Sequence, residues 1–185
     1  MNREEALAFT CTDHLLQVNP LFNKIMQPLE ITTTTKPIPP NTGQYTSWIA
    51  KGAHWFTIIK HNNQTLVYCH FNQMMFYASP NIQLHPLMPD GHAFLAQTCI
   101  DNNTTPRLLI LDIIHPYVED PQARGHTLRQ LTQFFPTTSC HVQWAGDVTS
   151  LRKFLANGLP HPVECIVSLQ KPMQITREQV PSDTT

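Results

Sequence analysis

Between residues 45 and 170 the sequence is a succession of short segments rich in Val, Ile, Phe, Tyr and Trp, separated by turn residues. Because β-branched and aromatic residues favour strands, this pattern predicts antiparallel strands joined by short turns. The segments HWFTIIK, TLVYCHF and MMFYA form a predicted meander, and AFLAQTCI pairs with PRLLILDII through the turn DNNTT. The last strand is almost entirely apolar, which predicts burial on both of its faces.

Three helices are predicted around these strands. Asn2 can cap a helix over residues 3 to 18, GHTLRQLTQFF is a short helix, and DVTSLRKFLANG is another, with Asp147 as N-cap and Gly158 at its end. SCHVQWA and VECIVSLQ are two further strands, and TTTTKPIPPNTGQ is an extended surface segment. The predicted fold class is therefore α+β, dominated by antiparallel sheet.

The composition restricts the class of function. A chain of 185 residues with 41% hydrophobic and 14% charged residues is expected to fold as one domain. A formal net charge of -1 argues against binding to an extended nucleic-acid tract, which needs many Lys and Arg residues, so any such contact is expected at a single nucleotide or an end. The chain has no long apolar run and no basic leader, so we expect an intracellular protein of nucleus or cytoplasm, without membrane contact.

Cysteine and histidine give no clear metal signal. The five Cys residues form no C-x-x-C pair, and the ten His residues show no H-x-x-x-H spacing. Free buried thiols are the expected state of the cysteines. We therefore expect neither a metal nor a cofactor.

Several segments, in order, resemble those of mRNA capping guanylyltransferases, in the lysine-dependent nucleotidyltransferase and ligase superfamily. SWIAKGAHWF resembles the first motif, TLVYCHFNQMMFYAS the next, PLMPDGHAFLAQTCI the segment around D-G-E, TPRLLILDIIHPY the R-x-L-I-x-D-I-I strand, and HPVECIVSLQKP the fourth-motif strand. The resemblance covers residues 27–172. It implies an N-terminal helical segment over 1–26, an antiparallel-sheet nucleotidyltransferase domain without the OB-fold domain, and a polar tail over 173–185.

The reactive groups of that family are missing. The resemblance places Ile49 where the family has the lysine that bonds to the nucleotide, and an alkyl side chain cannot attack phosphorus. Lys51 and His54 stand at the positions of the motif's Asp and Arg, and His70 at that of a second Arg. The D-G-E segment falls either at residues 90–92 or at 97–99, and the lysine-rich fifth motif is missing. The resemblance therefore implies a pseudoenzyme with no catalytic residues.

A similar loss is found in the snurportin cap-binding domain, which this chain also resembles, and which binds a methylated cap by stacking. A stacked purine needs aromatic planes, for which the candidates are Tyr45, Trp48, Trp55 and Trp144. Glu164 can accept hydrogen bonds from guanine. The nucleotide- or cap-binding residues implied by the resemblance are Trp48, Lys51, Gly52, His54, Trp55, His70, Glu164 and Val167.

Asp112 lies inside the apolar strand LLILDII, so a structural role is expected, with Arg129 or a backbone amide as its partner. His54 and His70 could contact phosphate when protonated.

Three functions remain open. The first is non-catalytic binding of an RNA cap or guanine nucleotide in RNA metabolism. The second is a protein-interaction scaffold whose old nucleotide cleft is closed, with a protein partner. The third is a nucleotidyltransferase that uses Lys51 in place of the missing lysine, although a shift of two strand residues moves the amine by roughly 7 Å.

Overall fold

Two β-sheets and three α-helices make up the part of the chain that the computed structural model describes, which comprises residues 1–15, 28–39, 45–71, 74–78 and 82–179. The helices are α1 (Arg3–Thr10), α2 (Pro121–Gln130) and α3 (Val148–Ala156). The strands are β1 (Cys11–Leu15), β2 (Glu30–Thr34), β3 (Tyr45–Ala50), β4 (Trp55–His61), β5 (Gln64–Cys69), β6 (Met74–Ala78), β7 (Ala93–Asp101), β8 (Thr105–His115), β9 (Cys140–Val142), β10 (Val163–Leu169) and β11 (Gln174–Glu178). The α+β class is therefore confirmed.

The larger sheet has seven strands in the order β1-β6-β5-β4-β7-β8-β9. It contains the predicted meander of β4, β5 and β6 and the predicted β7–β8 hairpin, all antiparallel. Asn62-Asn63 and Asn102-Asn103 have positive φ in the two hairpin turns, a conformation that Asn adopts more readily than most residues. Strand β9 pairs with β8 in parallel, so the sheet is mixed rather than purely antiparallel.

The smaller sheet has the order β2-β11-β10-β3, with β11 parallel to β2. Strand β11 lies in the region for which we predicted a polar tail, 173–185, and that prediction was wrong for residues 174–178. The side chain of Ile175 is only 3% exposed, and the strand hydrogen-bonds to neighbours on both sides. One apolar residue among polar ones gives no sequence signal, whereas docking between two strands supplies both burial and hydrogen bonds.

The N-terminal helix is shorter than predicted. Its start is as expected, because the Asn2 side chain accepts a hydrogen bond from Glu5 N while the Glu5 carboxylate accepts one from Asn2 N. The helix ends at Thr10, and β1 follows at once, pairing with β6. Pairing along a sheet edge outweighs the helical pattern after Thr10. The rest of the predicted helical segment, residues 16–26, lies outside the described residues.

The other two helices are close to the prediction. Helix α2 begins at Pro121, earlier than expected, because Asp120 caps it by accepting a hydrogen bond from Ala123 N. Helix α3 begins as predicted after Asp147, whose carboxylate accepts a hydrogen bond from Ser150 N, and Gly158 follows it with φ +81°. None of the helices in the described ranges has the length and apolarity needed to span a membrane.

The two sheets pack against each other through an apolar cluster that we call the inter-sheet core. Its buried members come from both sheets: Tyr45, Ile49, Ile59, Leu66, Ala93, Leu95, Leu111, Ile114, Cys165, Val167, Leu169, Met173 and Ile175. On its opposite face the large sheet packs against α1 and Leu128 of α2, and the small sheet packs against α3 through Trp48 and Leu151. Strand β8 contributes to both faces, so its predicted double burial is confirmed.

A buried amide network also joins the sheets. Gln97 on β7 is fully buried and donates to Trp48 O and to Gln143 Oε1, while its own oxygen accepts from Ala50 N. Gln143 donates in turn to Ser47 Oγ and to Trp48 O. Every one of these groups is satisfied, which a buried network needs if it is not to destabilise the fold.

Asp112 is paired with Arg124, not with Arg129. The Arg124 Nε lies 2.9 Å from Asp112 Oδ1, and its side chain is 1% exposed. The predicted backbone partner is confirmed, because Ile113 N donates to the same carboxylate at 2.9 Å. Arg129 instead donates to the Tyr45 hydroxyl. Helix α2 directs Arg124 toward the strand and leaves Arg129 exposed. Which of the two arginines faces Asp112 depends on where the helix begins.

We expect Asp112→Ala to lower the free energy of unfolding by about 3–5 kcal/mol, because it leaves a buried guanidinium without its carboxylate. Urea unfolding followed by circular dichroism measures this. Lys171→Ala is the matched control, since it removes an ion pair to Glu119 in which both side chains are exposed and which should contribute about 0–1 kcal/mol. Equal losses in the two variants would contradict the structural role of the buried pair.

Candidate functional site

Ile49, which the sequence resemblance places at the position of a reactive lysine, is 3% exposed. It belongs to the inter-sheet core and lies opposite Cys165 in the β3–β10 register. Trp48 packs on the other side of the strand, against α3, so the two side chains lie on opposite faces of β3. An aliphatic side chain sealed in an apolar core can neither react with nor hydrogen-bond to a nucleotide.

Trp55 and Tyr68 lie at the edge of the inter-sheet core. Both are half-buried and pack against the cluster that contains Ile49. His70 joins them, since its N donates to Trp55 O and its ring lies 5.1 Å from the Tyr68 ring, edge-on. We call these three side chains the aromatic rim, and they include one of the predicted stacking residues, Trp55.

His70 cannot act as the predicted phosphate-binding cation near neutral pH. Burial lowers its pKa from 6.5 to about 4, because the charged ring would lose its hydration. Its Nε2 lies 2.6 Å from Thr57 Oγ1, a neutral partner that offers no compensating charge. The sequence analysis gave His70 a phosphate contact only in its protonated form, which this burial disfavours.

Two predicted residues of β10 have different environments. Val167 is fully buried in the inter-sheet core, so it cannot contact a ligand as predicted. Glu164 is exposed, and its carboxylate lies 3.8 Å from Arg177 Nη2 on β11. Glu164 is thus an accessible acid, but it is partly neutralised by a neighbouring cation.

Trp48 offers no open face for stacking. It is 3% exposed, its ring lies 5.6 Å from Phe154, and its Nε1 donates to His161 Nε2 at 3.1 Å. The other predicted aromatics, Tyr45 and Trp144, line a separate pocket between β3, β9 and α2. The predicted stacking residues are therefore divided among three places.

Lys51 and Gly52 form the turn after β3, where Gly52 has φ +71°. Lys51 is exposed, and both residues line a pocket of about 340 Å³ that also contains Cys99 and His161. Lys51 therefore lies at this pocket, whereas Ile49 lies in the inter-sheet core.

His54 faces the outer side of the large sheet. Its Nε2 lies 3.0 Å from Met1 O, and its ring contacts Phe71 edge-on at 5.2 Å. Phe71 packs against the core cluster under α1. His54 is therefore separated from the aromatic rim by the sheet itself.

The two alternatives for the D-G-E segment have different settings. Asp90 lies in an exposed turn, 3.6 Å from the buried Lys60 amine, and accepts a hydrogen bond from Asn62 N. Gln97, in the second alternative, holds the buried amide network against β3. Neither position presents a free carboxylate to the inter-sheet core.

The pocket beside Lys51 contains a cluster that sequence analysis missed. Cys99 Sγ lies 3.6 Å and His161 Nδ1 lies 3.0 Å from the same oxygen of Asp101, and these ligand atoms fall within 4.8 Å of one another. Cys, Asp and His are all possible zinc ligands. No sequence motif predicts this cluster, because His161 lies in the loop before β10 and the other two residues lie at the end of β7.

The Trp48 indole opposes metal binding at this cluster. Because its N–H donates to His161 Nε2, the imidazole must carry its proton on Nδ1 and donate it to Asp101. A metal on Nδ1 would move that proton to Nε2, where it would face the indole N–H, so that two donors would point at each other. Metal-bound imidazoles normally donate their second N–H to an acceptor, which is the reverse of this arrangement. Burial also raises the pKa of the Cys99 thiol well above its usual range, so the group is a hydrogen-bonded network rather than a nucleophile.

Comparison with known proteins adds no identity: neither a protein-family model nor a curated protein sequence matches this chain. Of the residues predicted for the nucleotide site, the structure brings Trp55 and His70 together at the aromatic rim. It places Trp48, Lys51 and His54 elsewhere. The inference of function must therefore start from the geometry of these separate groups.

The pH dependence of stability tests the assignment of His70. Its folded-state pKa is lowered to about 4 from 6.5, so protonation favours the unfolded chain, and stability is lost as pH falls below 6.5. Between pH 7 and pH 5 the wild type should lose about 2 kcal/mol more unfolding free energy than His70→Gln. The exposed His126→Gln variant should keep the wild-type dependence, and urea unfolding at both pH values measures it. An unchanged slope in His70→Gln would contradict the assignment.

The tautomer of His161 tests whether the Trp48 indole opposes metal binding at the cluster. Long-range ¹H–¹⁵N spectra near neutral pH should show a protonated Nδ1 and an unprotonated Nε2, and Trp48→Phe should shift the Nε2 signal by removing its donor. Equimolar Zn²⁺ should leave the His161 signals in place. Loss of those signals with Zn²⁺ in the wild type, but not in Cys99→Ser, would mean that the cluster binds metal after all.

Proposed function

We propose that this protein is a non-catalytic guanylyltransferase-like domain that recognises a guanine nucleotide or an RNA cap without forming a covalent bond. The observation that carries the proposal is the burial of Ile49 in the inter-sheet core, at the position of the family's nucleophile. A nucleotidyltransferase needs an unprotonated amine at that point. An isoleucine removes the covalent step and leaves recognition as the remaining function.

The aromatic rim supports recognition of a base. Trp55 and Tyr68 are half-buried aromatic rings at the edge of the inter-sheet core, where they combine rigid support with solvent access. Neutral His70 contributes a flat ring with little charge. A methylated guanine carries positive charge and prefers this neutral, electron-rich surface.

The geometry weighs against the Lys51 alternative. The Lys51 side chain lies in a different pocket from Ile49, beside His161 and Cys99. In-line phosphoryl transfer requires the nucleophile, the phosphorus and the leaving group in one line, with metal ions and charged groups around them. An amine on another face of the fold does not meet that requirement.

A protein-interaction scaffold is the second candidate. It is favoured by the burial of Trp48 and Val167, which removes two of the predicted ligand contacts, and by exposed apolar side chains elsewhere. Leu87 is 70% exposed and Tyr117 is 59% exposed. Such residues can anchor a protein partner.

A fluorescence titration separates the two candidates. Under the recognition proposal, one guanine form among GTP, 7-methyl-GTP and a trimethylated cap analogue quenches Trp emission saturably, and ATP does not. Trp55→Leu should weaken that binding about tenfold, since stacking on one aromatic ring contributes about 1–3 kcal/mol. Trp144→Phe is the matched control and should leave the affinity unchanged.

Two results would overturn the proposal. The absence of saturable quenching by any guanine form at millimolar concentration would favour the scaffold. A GTP adduct that survives denaturation, and is lost in Lys51→Ala, would restore the enzyme. A Trp55-dependent response without an adduct is the expected outcome.

A further inference from the structure

A second pocket, which we call the Tyr45 pocket, lies between β3, β9 and α2 and plays no part in the function proposed above. It has a volume of about 230 Å³. Its walls are mainly apolar, and its lining includes Tyr45, Leu111, Leu128, Arg129, Val142 and Trp144. The volume suits a small molecule of one ring rather than a nucleotide or a peptide.

Arg129 supplies a positive charge at this pocket. It is exposed, and its Nη1 donates to the Tyr45 hydroxyl at 2.8 Å. Among the described residues, no carboxylate lies within ion-pair distance of it, in contrast to Arg124, which is matched by Asp112. Only Nη1 of the Arg129 guanidinium is held by Tyr45, so its other N–H groups are available for an anion. The planar guanidinium can bind the two oxygens of a carboxylate.

Tyr45 contributes a donor beside that charge. The side chain is 92% buried, being 8% exposed, and it lines the pocket. Its oxygen accepts from Arg129, and its own hydrogen has no acceptor among the described residues. Burial raises the pKa of the Tyr45 phenol, so the hydroxyl keeps its proton at neutral pH. Buried polar groups normally have a hydrogen-bond partner, and an oxygen atom in the pocket would supply the missing acceptor.

The neighbouring backbone is shaped to admit Tyr45. A Cβ at Gly125 would lie 1.9 Å from the Tyr45 Oη, so only glycine lets the hydroxyl approach α2 so closely. Trp144 also lines the pocket, and its ring is fixed by stacking on Phe154 at 5.3 Å with an interplanar angle of 11°. The donor pair and Trp144 are therefore both held in place before any ligand binds.

We propose that the Tyr45 pocket binds a small monocarboxylate with a flat apolar body. The carboxylate accepts hydrogen bonds from Arg129 and from the Tyr45 hydroxyl, and the body lies against Trp144 and the aliphatic side chains. One guanidinium balances one negative charge, so a monocarboxylate fits better than a doubly charged phosphate. The inference does not depend on the aromatic rim or on any nucleotide.

Phenylacetate and its neutral analogue phenylacetamide test the charge requirement. Ligand-observed saturation-transfer NMR should give an affinity for phenylacetate about tenfold higher than for phenylacetamide, because one charge-assisted contact is lost with the amide. Two-dimensional spectra should show a shift of the Trp144 indole N–H and not of Trp55. This readout distinguishes the result from the nucleotide titration, which depends on Trp55.

Two substitutions assign the residues. Arg129→Gln should remove the preference for phenylacetate, and Tyr45→Phe should weaken its binding several-fold. Arg152→Gln is the matched control, because Arg152 is an arginine of α3 that pairs with Glu178 at 2.8 Å, and it should bind like the wild type. Unfolding temperatures of all variants verify that each is folded. Equal affinity for the two probes, no binding of either at millimolar concentration, or an unchanged preference in Arg129→Gln would overturn the proposal.

Discussion

The buried ion pair between Arg124 and Asp112 fixes the position of helix α2, on which much of the rest depends. Beyond the carboxylate, Arg124 donates from Nη1 to Val118 O and Glu119 O and from Nη2 to Gln170 O. One side chain thus joins β8, the loop before α2 and the end of β10. A buried guanidinium is stable only when all of its donors are matched, so these segments keep a single arrangement. Gly125 and Arg129 shape the Tyr45 pocket, and the position of helix α2 determines where they lie.

The packing of the two sheets against each other decides what surrounds Ile49. Ile49 and Val167 complete an apolar cluster with residues of the large sheet, and the Gln97 and Gln143 amides satisfy the polar backbone of β3. Charged groups in this space would need partners that it does not contain. Ile49 therefore lies within a closed apolar core, and the half-buried rings of Trp55 and Tyr68 lie at its edge.

Sequence patterns predicted most strands because alternation and turn residues are local. The β4–β6 meander, the β7–β8 hairpin and β10 are where the patterns place them. Strands β1 and β11 were missed because their apolar content is small, and docking against an existing sheet decides their conformation. Of the three residues at the aromatic rim, sequence analysis named Trp55 and His70, and it missed the cluster of Cys99, Asp101 and His161. Residues that are distant in sequence meet only through the topology, and a single sequence carries no spacing that reveals them.

By itself, the sequence determined which side chains carry reactive groups, and it predicted the strands whose alternation is clear. Isoleucine has no amine, so amine chemistry at position 49 is excluded whatever the fold. Only the tertiary structure decided which faces those positions share. In the tertiary structure the Trp48 indole donates to His161, and burial lowers the pKa of His70. Asp112 pairs with Arg124, so Arg129 remains exposed and donates to Tyr45. The reason is physical: side-chain identity sets what a group can do, whereas burial and neighbours set its charge, its partners and its access to solvent.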